Sequence, residues 1–228
     1  MMKLLLQTKL QEGLAEMRLE VSAEQQLKLI DYLLLISKWN KVHNLTAVRD
    51  PLDMVTLHLL DSLSVLPYLQ YLSAKRLLDV GAGAGLPSIP LSICMPELQV
   101  TAIDAVQKKT SFMRQVKGEL GLINFHVETG RVESLIKEPK FDVIISRAFS
   151  EIALFTKLTK HLLVENGHWL AMKGMAPEQE IATLKSTDAG VHVIKIVRLH
   201  VADLQAERHL VFLNPVTTAS SFSLNKEH

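Results

Sequence analysis

The stretch RLLDVGAGAGLPSIPL, residues 76–91, decides the class of fold that this sequence adopts. Its apolar run ends at Asp79, and glycines follow at every second position, namely Gly81, Gly83 and Gly85. Glycine has no Cβ and readily takes positive φ values, so such a loop lets a ligand approach the backbone closely. The stretch therefore predicts a buried strand, a ligand-binding loop and then a helix, which Pro87 can open.

Strand and helix signals alternate after residue 75. The predicted strands are rich in aliphatic and β-branched residues and cover 76–80, 98–104, 124–129, 141–147, 168–174, 191–199 and 208–214. Helical segments between the first five are predicted at 88–95, 108–119, 131–135 and 153–163. Strands joined by crossover helices form a mainly parallel sheet, whereas the last two strands have no convincing helix between them. We expect an α/β sandwich with an antiparallel terminal strand.

The region before this sheet has helical patterns instead. Ser22 and Gln25 form a capping-box pattern, and apolar residues recur behind it at helical spacing, at Leu27, Ile30 and Leu34. This predicts a helix that ends near residue 39 or 40. A second helical pattern runs over 52–68, so the first part of the chain is predominantly helical.

Length and composition limit the class of protein. The 228 residues suffice for an α/β domain, predicted over 73–228, with a helical extension over 1–72 packed on it as one compact unit. A formal net charge of +1 excludes a strongly basic nucleic-acid binder, so an RNA partner needs a local basic patch. The single cysteine, Cys94, excludes an internal disulfide and a cysteine-based zinc site. With no signal-peptide pattern and no apolar run of membrane length, we expect a cytoplasmic protein without membrane association or metal.

The spacing of the glycine loop distinguishes between two nucleoside ligands. In the dinucleotide fingerprint a third glycine stands three places after the second, and a helix N-terminus receives the pyrophosphate. Here Gly85 comes two places after Gly83, and Asp79 stands two residues before Gly81. A carboxylate at that point repels a pyrophosphate but suits the ammonium group of an amino-acid moiety. The pattern favours S-adenosylmethionine over NAD, with Gly81 and Gly83 against the ligand.

Residues after two later strands extend this predicted cofactor site. Asp104 ends the second strand, where a carboxylate can accept both hydroxyls of a ribose. After the third strand, Val132 can flank an adenine ring and Glu133 can meet its polar edge. Each acid has a structural alternative, since Asp104 can cap the next helix and Glu133 can sit in the favourable first turn of one. Their occurrence together favours the cofactor site.

The residues after the fourth strand indicate which atom is methylated. Methylation at a pyrimidine C5 needs a cysteine nucleophile, and Cys94 lies in a predicted helix as a core residue. Methylation of an exocyclic amine usually uses an Asn/Asp-Pro-Pro-aromatic segment, where this chain has Ser146, Arg147 and Ala148. Arg147 suits guanine O6, a carboxylate or a phosphate, or else forms a structural salt bridge. Guanine N7 needs no deprotonation before attack, so Arg147 is the candidate catalytic residue and we assign no general base.

Motifs along nearly the whole chain resemble one family, the bacterial 16S rRNA guanine-N7 methyltransferases, also called ribosomal RNA small subunit methyltransferase G and formerly glucose-inhibited division protein B. They are WNKVHNLTAV (39–48), HLLDSLS (58–64), LLDVGAGAGLPSIPL (77–91), GRVES (130–134), SRAF (146–149) and AMKG (171–174). The resemblance implies a class I S-adenosylmethionine-dependent methyltransferase fold, which is Rossmann-like. It implies a cofactor-contacting set of Gly81, Leu86, Val132, Glu133 and Arg147, with Asp104 at the ribose. The implied reaction methylates guanosine 527 in the 530 loop of 16S rRNA and leaves S-adenosylhomocysteine.

Basic residues near the predicted cleft are candidates for contacts with RNA phosphates. They are Lys41, Arg49, Lys108, Lys109, Arg114, Lys117 and Lys173. A solvated helix face explains the four between 108 and 117 equally well, and His58 on an apolar helix is more often a packing residue than a catalyst. We expect a monomer whose partner is 16S rRNA or the small ribosomal subunit. A small-molecule methyltransferase, an NAD(P)-dependent oxidoreductase and an RNA-binding module without activity remain open alternatives.

Overall fold

A computed structural model describes residues 1–147, 149, 151–186 and 190–216. Within them, seven strands form one sheet in the order β3-β2-β1-β4-β5-β7-β6. The strands are β1 Arg76–Val80, β2 Gln99–Asp104, β3 Phe125–Thr129, β4 Phe141–Ser146, β5 Leu163–Lys173, β6 Val191–Arg198 and β7 His209–Pro215. The first five are parallel, and β7 runs antiparallel to both β5 and β6. The predicted α/β sheet, mainly parallel with an antiparallel strand near its C-terminus, is confirmed.

Helices flank this sheet, and the helices of the N-terminal region precede it in the chain. The α-helices are α1 Met2–Glu16, α2 Ala23–His43, α3 Pro51–Met54, α4 Asp61–Leu63, α5 Leu66–Tyr71, α6 Ser88–Cys94, α7 Gln107–Leu120, α8 Ile152–Thr159 and α9 Glu178–Ser186. A π-helix occupies Val55–Leu60, and 3-10 turns occupy Val132–Ser134 and Lys160–Leu162. Among the described residues, no helix is both long and apolar enough to cross a bilayer.

Some helices were predicted correctly from the sequence, whereas others were not predicted or were given the wrong type. The predicted capping box begins α2, since the Ser22 hydroxyl accepts from the Gln25 N–H and the Gln25 side chain accepts from the Ser22 N–H. The helical pattern predicted over 52–68 falls on α3, the π-helix, α4 and the start of α5, so the segment is helical but is not one continuous α-helix. The predicted helix over 131–135 is only a 3-10 turn. Helices α1 and α9 were not predicted.

Both faces of the central strands are buried, which explains why β1, β2 and β4 read as continuous apolar runs. In β1, Leu77 belongs to the apolar core on one face and Leu78 to the core on the other. In β4, Val143 and Ile144 divide in the same way. Because successive side chains of a strand point to opposite faces, each of these strands needs apolar residues at consecutive positions.

The N-terminal helices share the larger core and support the glycine loop from behind. In α2, the buried Tyr32 hydroxyl donates to the carbonyl of Ala84 in the loop at 2.8 Å. At the start of the same helix, the side-chain amide of Gln25 donates to the carbonyls of Ile93 and Cys94, each at 3.2 Å. The loop is therefore fixed from one side by a helix and from the other by the sheet. The division of the chain at 72/73 into extension and domain stays a prediction.

Candidate active site

The glycine loop joins β1 to α6 and folds tightly against β2. Its three glycines, Gly81, Gly83 and Gly85, have φ values of 73°, 62° and 93°. The Gly81 N–H donates to the Ile103 carbonyl of β2 at 2.9 Å. A Cβ on Gly85 would collide with the Ile89 side chain, whereas a Cβ on Gly83 would enter open space. The backbone of the loop therefore needs glycine, and there is room beside Gly83 for a ligand.

Asp104 connects this loop to the end of β2 and is only 6% exposed. Its Oδ2 accepts the N–H of Gly83 at 2.9 Å, and its Oδ1 accepts the N–H of Val106 at 2.9 Å. The ammonium of Lys109 lies 3.7 Å from Oδ2. Asp104 does not cap α7, whose N-cap Val106 has no side-chain cap, but its bond to the Val106 N–H fixes the turn before that helix. A carboxylate also has further lone pairs, so ribose hydroxyls can still donate to it.

A cavity of about 300 Å³, which we call the cofactor cavity, opens at the carboxyl ends of the first three strands. Four of the residues predicted to bind the cofactor line it: Gly81, Asp104, Val132 and Glu133. Phe149, Leu154 and Leu158 provide an apolar wall. Gly83 adjoins the cavity through its bond to Asp104, whereas Leu86 is buried and does not line it. The contact of Leu86 with a cofactor stays a prediction.

Asp79, the acid before the glycine loop, is completely buried. Its Oδ2 accepts the N–H of Ser88 at 3.2 Å, and its Oδ1 has no hydrogen-bond partner among the described residues. Burial raises the pKa of Asp79 to about 7, while the hydrogen bond from the Ser88 N–H and the Arg147 charge act in the opposite direction. An unsatisfied buried carboxylate oxygen favours a cationic partner, which is what the ammonium of S-adenosylmethionine would supply.

Arg147 lies at a second cavity, of about 420 Å³, which we call the two-arginine cavity. It lies between the N-terminal helices and the carboxyl ends of β4 and β5, and is lined by Val48, Leu57, His58, Asp61, Arg147, Met172, Lys173, Gly174 and Arg208. The Nη1 of Arg147 donates to Asp61 Oδ2 at 3.0 Å and to the Leu57 carbonyl at 3.1 Å. The salt-bridge alternative for Arg147 is therefore present. Arg147 does not line the cofactor cavity, so its cofactor contact stays a prediction.

The π-helix and the loop before it form the helical wall of the two-arginine cavity. Asn40 fixes that loop, because its side chain donates to the Val48 carbonyl and accepts the Thr46 N–H. The Thr46 hydroxyl in turn lies 3.0 Å from Nε2 of His58, which is in the π-helix. Burial lowers the pKa of His58, so its imidazole is uncharged at neutral pH. The WNKVHNLTAV motif thus builds a wall of the site.

A third and wider cavity, of about 650 Å³, borders the other two. It shares Phe149 with the cofactor cavity, and it shares Arg147 and Lys173 with the two-arginine cavity. The ammonium of Lys173 is paired with the Glu180 carboxylate of α9 at 2.9 Å and donates to the Phe149 carbonyl at 3.2 Å. The three cavities therefore lie side by side at the carboxyl ends of the strands, where they form the cleft.

Comparison with known proteins agrees with this geometry. The family model of rRNA small subunit methyltransferase G matches residues 25–211. A relative of that name from Methylobacillus flagellatus is 60% identical over 208 residues, which cover 91% of this chain and 98% of the relative. Another, from Laribacter hongkongensis, is 49% identical with the same coverage. The chain belongs to the rRNA small subunit methyltransferase G family.

Solved structures of more distant proteins show the fold of this methyltransferase. An O-methyltransferase from Bacillus cereus in complex with S-adenosylhomocysteine superposes with a TM-score of 0.60 at 13% identity, covering 90% of this chain and 96% of that one. The mitomycin 7-O-methyltransferase MmcR has a TM-score of 0.60 at 13% identity over 72% of this chain and 56% of that one. The class I S-adenosylmethionine-dependent methyltransferase fold predicted from the sequence is confirmed.

Two residues of the methyltransferase cleft were not predicted from the sequence. Asp61 is 2% exposed and bonds two guanidinium groups, since its Oδ1 also accepts from Nε of Arg208 at 2.9 Å. A signal for Asp61 existed, because a carboxylate within the apolar HLLDSLS segment needs a buried partner. Arg208 had no such signal, since it stands in a polar segment just before β7.

Other predicted residues have contacts that bear on their roles. Burial raises the pKa of Cys94 to about 12, so this thiol at the end of α6 is not available as a thiolate nucleophile.

The Arg114 guanidinium donates to the Thr129 hydroxyl at 2.8 Å, and Arg49 donates to the Asn44 side chain at 2.9 Å. Lys41 and Lys108 are exposed. Contacts of these basic residues with RNA stay predictions.

Proposed function

We propose that this protein transfers the methyl group of S-adenosylmethionine to N7 of guanosine 527 in the 530 loop of 16S rRNA, as free RNA or within the small ribosomal subunit. The observation that carries this proposal is the proximity of two unlike cavities at one edge of the sheet, both of which border the wide cavity. The first is acidic and glycine-lined, as a nucleoside with an ammonium group requires. The second presents two arginines, and membership of the family supports ribosomal RNA as the acceptor class.

The residues of the cofactor cavity fit S-adenosylmethionine part by part. Asp104 would accept the ribose hydroxyls, and Val132 and Glu133 would hold the adenine. Gly81 and Gly83 would lie against the methionine part, and Asp79, whose buried Oδ1 has no hydrogen-bond partner among the described residues, would be the acid that pairs with its ammonium. The same Asp79 carboxylate disfavours the pyrophosphate of NAD. When bound, S-adenosylmethionine supplies an electrophilic methyl group on a sulfonium centre.

The acceptor side needs alignment more than it needs proton transfer. N7 of guanine has a free lone pair, so a direct in-line displacement requires the chain only to hold that atom opposite the methyl group. His58 is uncharged at neutral pH because burial lowers its pKa, and we assign it no proton. Arg147 would orient the base through O6, since a guanidinium donates hydrogen bonds but accepts none. The Asp61 carboxylate beside it offsets the positive charge that the methylated purine acquires.

The proposal is tested by incubating the protein with labelled S-adenosylmethionine and small-subunit RNA, or subunits, that lack the modification. We expect label at N7 of one guanosine in the 530 loop, removed by RNase, and no label on RNA that is already modified there. The Arg147→Ala variant should transfer the label more slowly than the wild-type protein does. Label on a different nucleotide would contradict the specificity, and calorimetric binding of NAD but not of S-adenosylmethionine would contradict the reaction class.

A further inference from the structure

We propose that the two-arginine cavity binds the target guanine base, and that Asp61 is the positioning residue that holds Arg147 and Arg208 at its wall. The inference rests on the proposed function and deepens it by giving the acceptor a defined site. The side chains concerned come from three distant parts of the chain. Asp61 is separated from Arg147 by 86 residues and from Arg208 by 147.

The hydrogen bonds of the cluster leave guanidinium donors for a ligand. Arg147 uses only Nη1 for its bonds to Asp61 and Leu57, and Arg208 uses Nε for Asp61 and Nη1 for the Glu207 carbonyl. Among the described residues, no hydrogen bond involves Nε or Nη2 of Arg147, or Nη2 of Arg208. Their side chains are 29% and 23% exposed. Two arginines are thus fixed by one buried carboxylate while donors of both remain available.

The walls of this cavity suit a base better than a phosphate. Besides the charged residues, Val48, Leu57 and Met172 line it, and the His58 imidazole is uncharged. A purine has apolar faces and an acceptor-rich edge at O6, so it can use both kinds of wall, whereas a phosphate gains nothing from the apolar one. One buried carboxylate between two guanidinium groups also lowers the positive charge that a methylated, cationic purine would face.

The position of the cavity agrees with methyl transfer to a base that has left its stack. It shares Arg147 and Lys173 with the wide cavity, which in turn shares Phe149 with the cofactor cavity. Enzymes that modify a base inside folded RNA must extrude it into a pocket. The N-terminal helices close the far side of this pocket, since Asp61 and His58 both come from that region. The helical extension therefore completes the acceptor site.

The first test replaces Arg208 and compares the result with a matched arginine. We expect Arg208→Ala to lower kcat/KM for unmodified small-subunit RNA roughly 10- to 100-fold, as loss of an arginine–base contact does. The affinity for S-adenosylmethionine, measured by calorimetry, should not change. Arg198→Ala is the control, because Arg198 is 72% exposed, pairs with Glu207 and lies outside the two-arginine cavity. A kcat/KM of Arg208→Ala equal to that of Arg198→Ala overturns the inference.

A second measurement distinguishes a contact of Arg208 with the target base from a contact with an RNA phosphate. Binding is measured with S-adenosylhomocysteine present, to intact RNA and to RNA that has an abasic target nucleotide but keeps its phosphates. If Arg208 contacts the base, Arg208→Ala weakens binding of intact RNA only, and the slope of log affinity against log salt is unchanged. An effect that persists on abasic RNA, with a slope reduced by about one, shows a phosphate contact and overturns the base assignment.

The positioning role of Asp61 is tested by Asp61→Asn, which keeps the shape and removes the charge. We expect RNA kcat/KM to fall more than cofactor affinity does, because Arg147 is also a predicted cofactor contact, and the double variant with Arg208→Ala to lose less than the product of the single losses. Independent, multiplying losses contradict the positioning role. If Asp61→Asn does not fold, Arg208→Ala still decides the base site. Absence of methyl transfer by the wild-type protein would refute the proposed function itself, which is a different outcome.

Discussion

The cofactor cavity and the two-arginine cavity lie at the same edge of the sheet but are assembled differently. The cofactor cavity is built from the ends of neighbouring strands, and its central bond joins Gly83 to Asp104, only 21 residues apart. The two-arginine cavity depends on Asp61, whose partners are 86 and 147 residues away. The first site is therefore a property of the β-α-β pattern. The second exists only when the N-terminal helices, β4 and the β7 strand meet.

If the two cavities are functionally separate, a substitution in the cofactor cavity should lower the affinity for the cofactor without changing the affinity for RNA. We expect Asp104→Ala to weaken the affinity for S-adenosylmethionine roughly a thousandfold, because two ribose hydroxyls lose a charged acceptor, at about 1.5–3 kcal/mol each. The N–H groups of Gly83 and Val106 also lose their acceptor, so the loop is less well fixed. Calorimetry measures the cofactor, and filter binding measures the RNA.

Asp142→Ala is the matched control for that variant. Asp142 also accepts two backbone N–H groups, those of Lys75 and Arg76, each at 2.8 Å. It does so at the amino end of the sheet, far from the cleft, because Lys75 and Arg76 precede or open β1. We expect a loss of thermal stability without loss of cofactor affinity. Equal cofactor losses in the two variants would mean that Asp104 acts through stability alone.

The pH dependence of binding should also differ between the cavities. Burial raises the pKa of Asp79 to about 7, and pairing with the cofactor ammonium favours its ionised form. Below pH 7, cofactor binding must therefore release a proton, so affinity should rise about tenfold per pH unit up to pH 7 and then level off. The neighbouring Tyr32 does not titrate in this range, since burial raises its pKa well above the ordinary value.

Asp79→Asn should remove this pH dependence and bind the cofactor more weakly at pH 8. Calorimetry between pH 5 and 8, in two buffers of different ionisation enthalpy, counts the released proton directly. RNA affinity of the wild-type protein, which is assigned to the two-arginine cavity, should not follow the Asp79 titration. If the cofactor affinity of Asp79→Asn still rises with pH, the released proton comes from another group, and the proposed difference in pH dependence between the two cavities is contradicted.

The cofactor cavity could be predicted from the sequence, whereas most of the two-arginine cavity could not. Asp104 was found because it ends a strand, and the glycines because they follow one. Arg208 has no local signal, since only the insertion of β7 between β5 and β6 brings it to Asp61. Helix α1 was missed because three consecutive leucines, Leu4, Leu5 and Leu6, show no helical spacing. In the structure only Leu6 of these three is buried. The π-helix was missed because hydrophobic spacing does not distinguish a wider turn from an α-helical one.

The smallest expected effect concerns Gly83, whose open surroundings make it a test of ligand approach. We expect Gly83→Ala to weaken cofactor affinity about tenfold, because its methyl group enters the space beside the loop; the alanine at positive φ separately costs about 1–2 kcal/mol of stability. Gly121, the C-cap of α7, has nearly the same φ, 64° against 62°, and the same open surroundings. Gly121→Ala should therefore lose similar stability but no cofactor affinity. Since both variants carry the same backbone strain, a difference in calorimetric affinity can come only from the ligand at the glycine loop, and equal affinities would show that no ligand approaches Gly83.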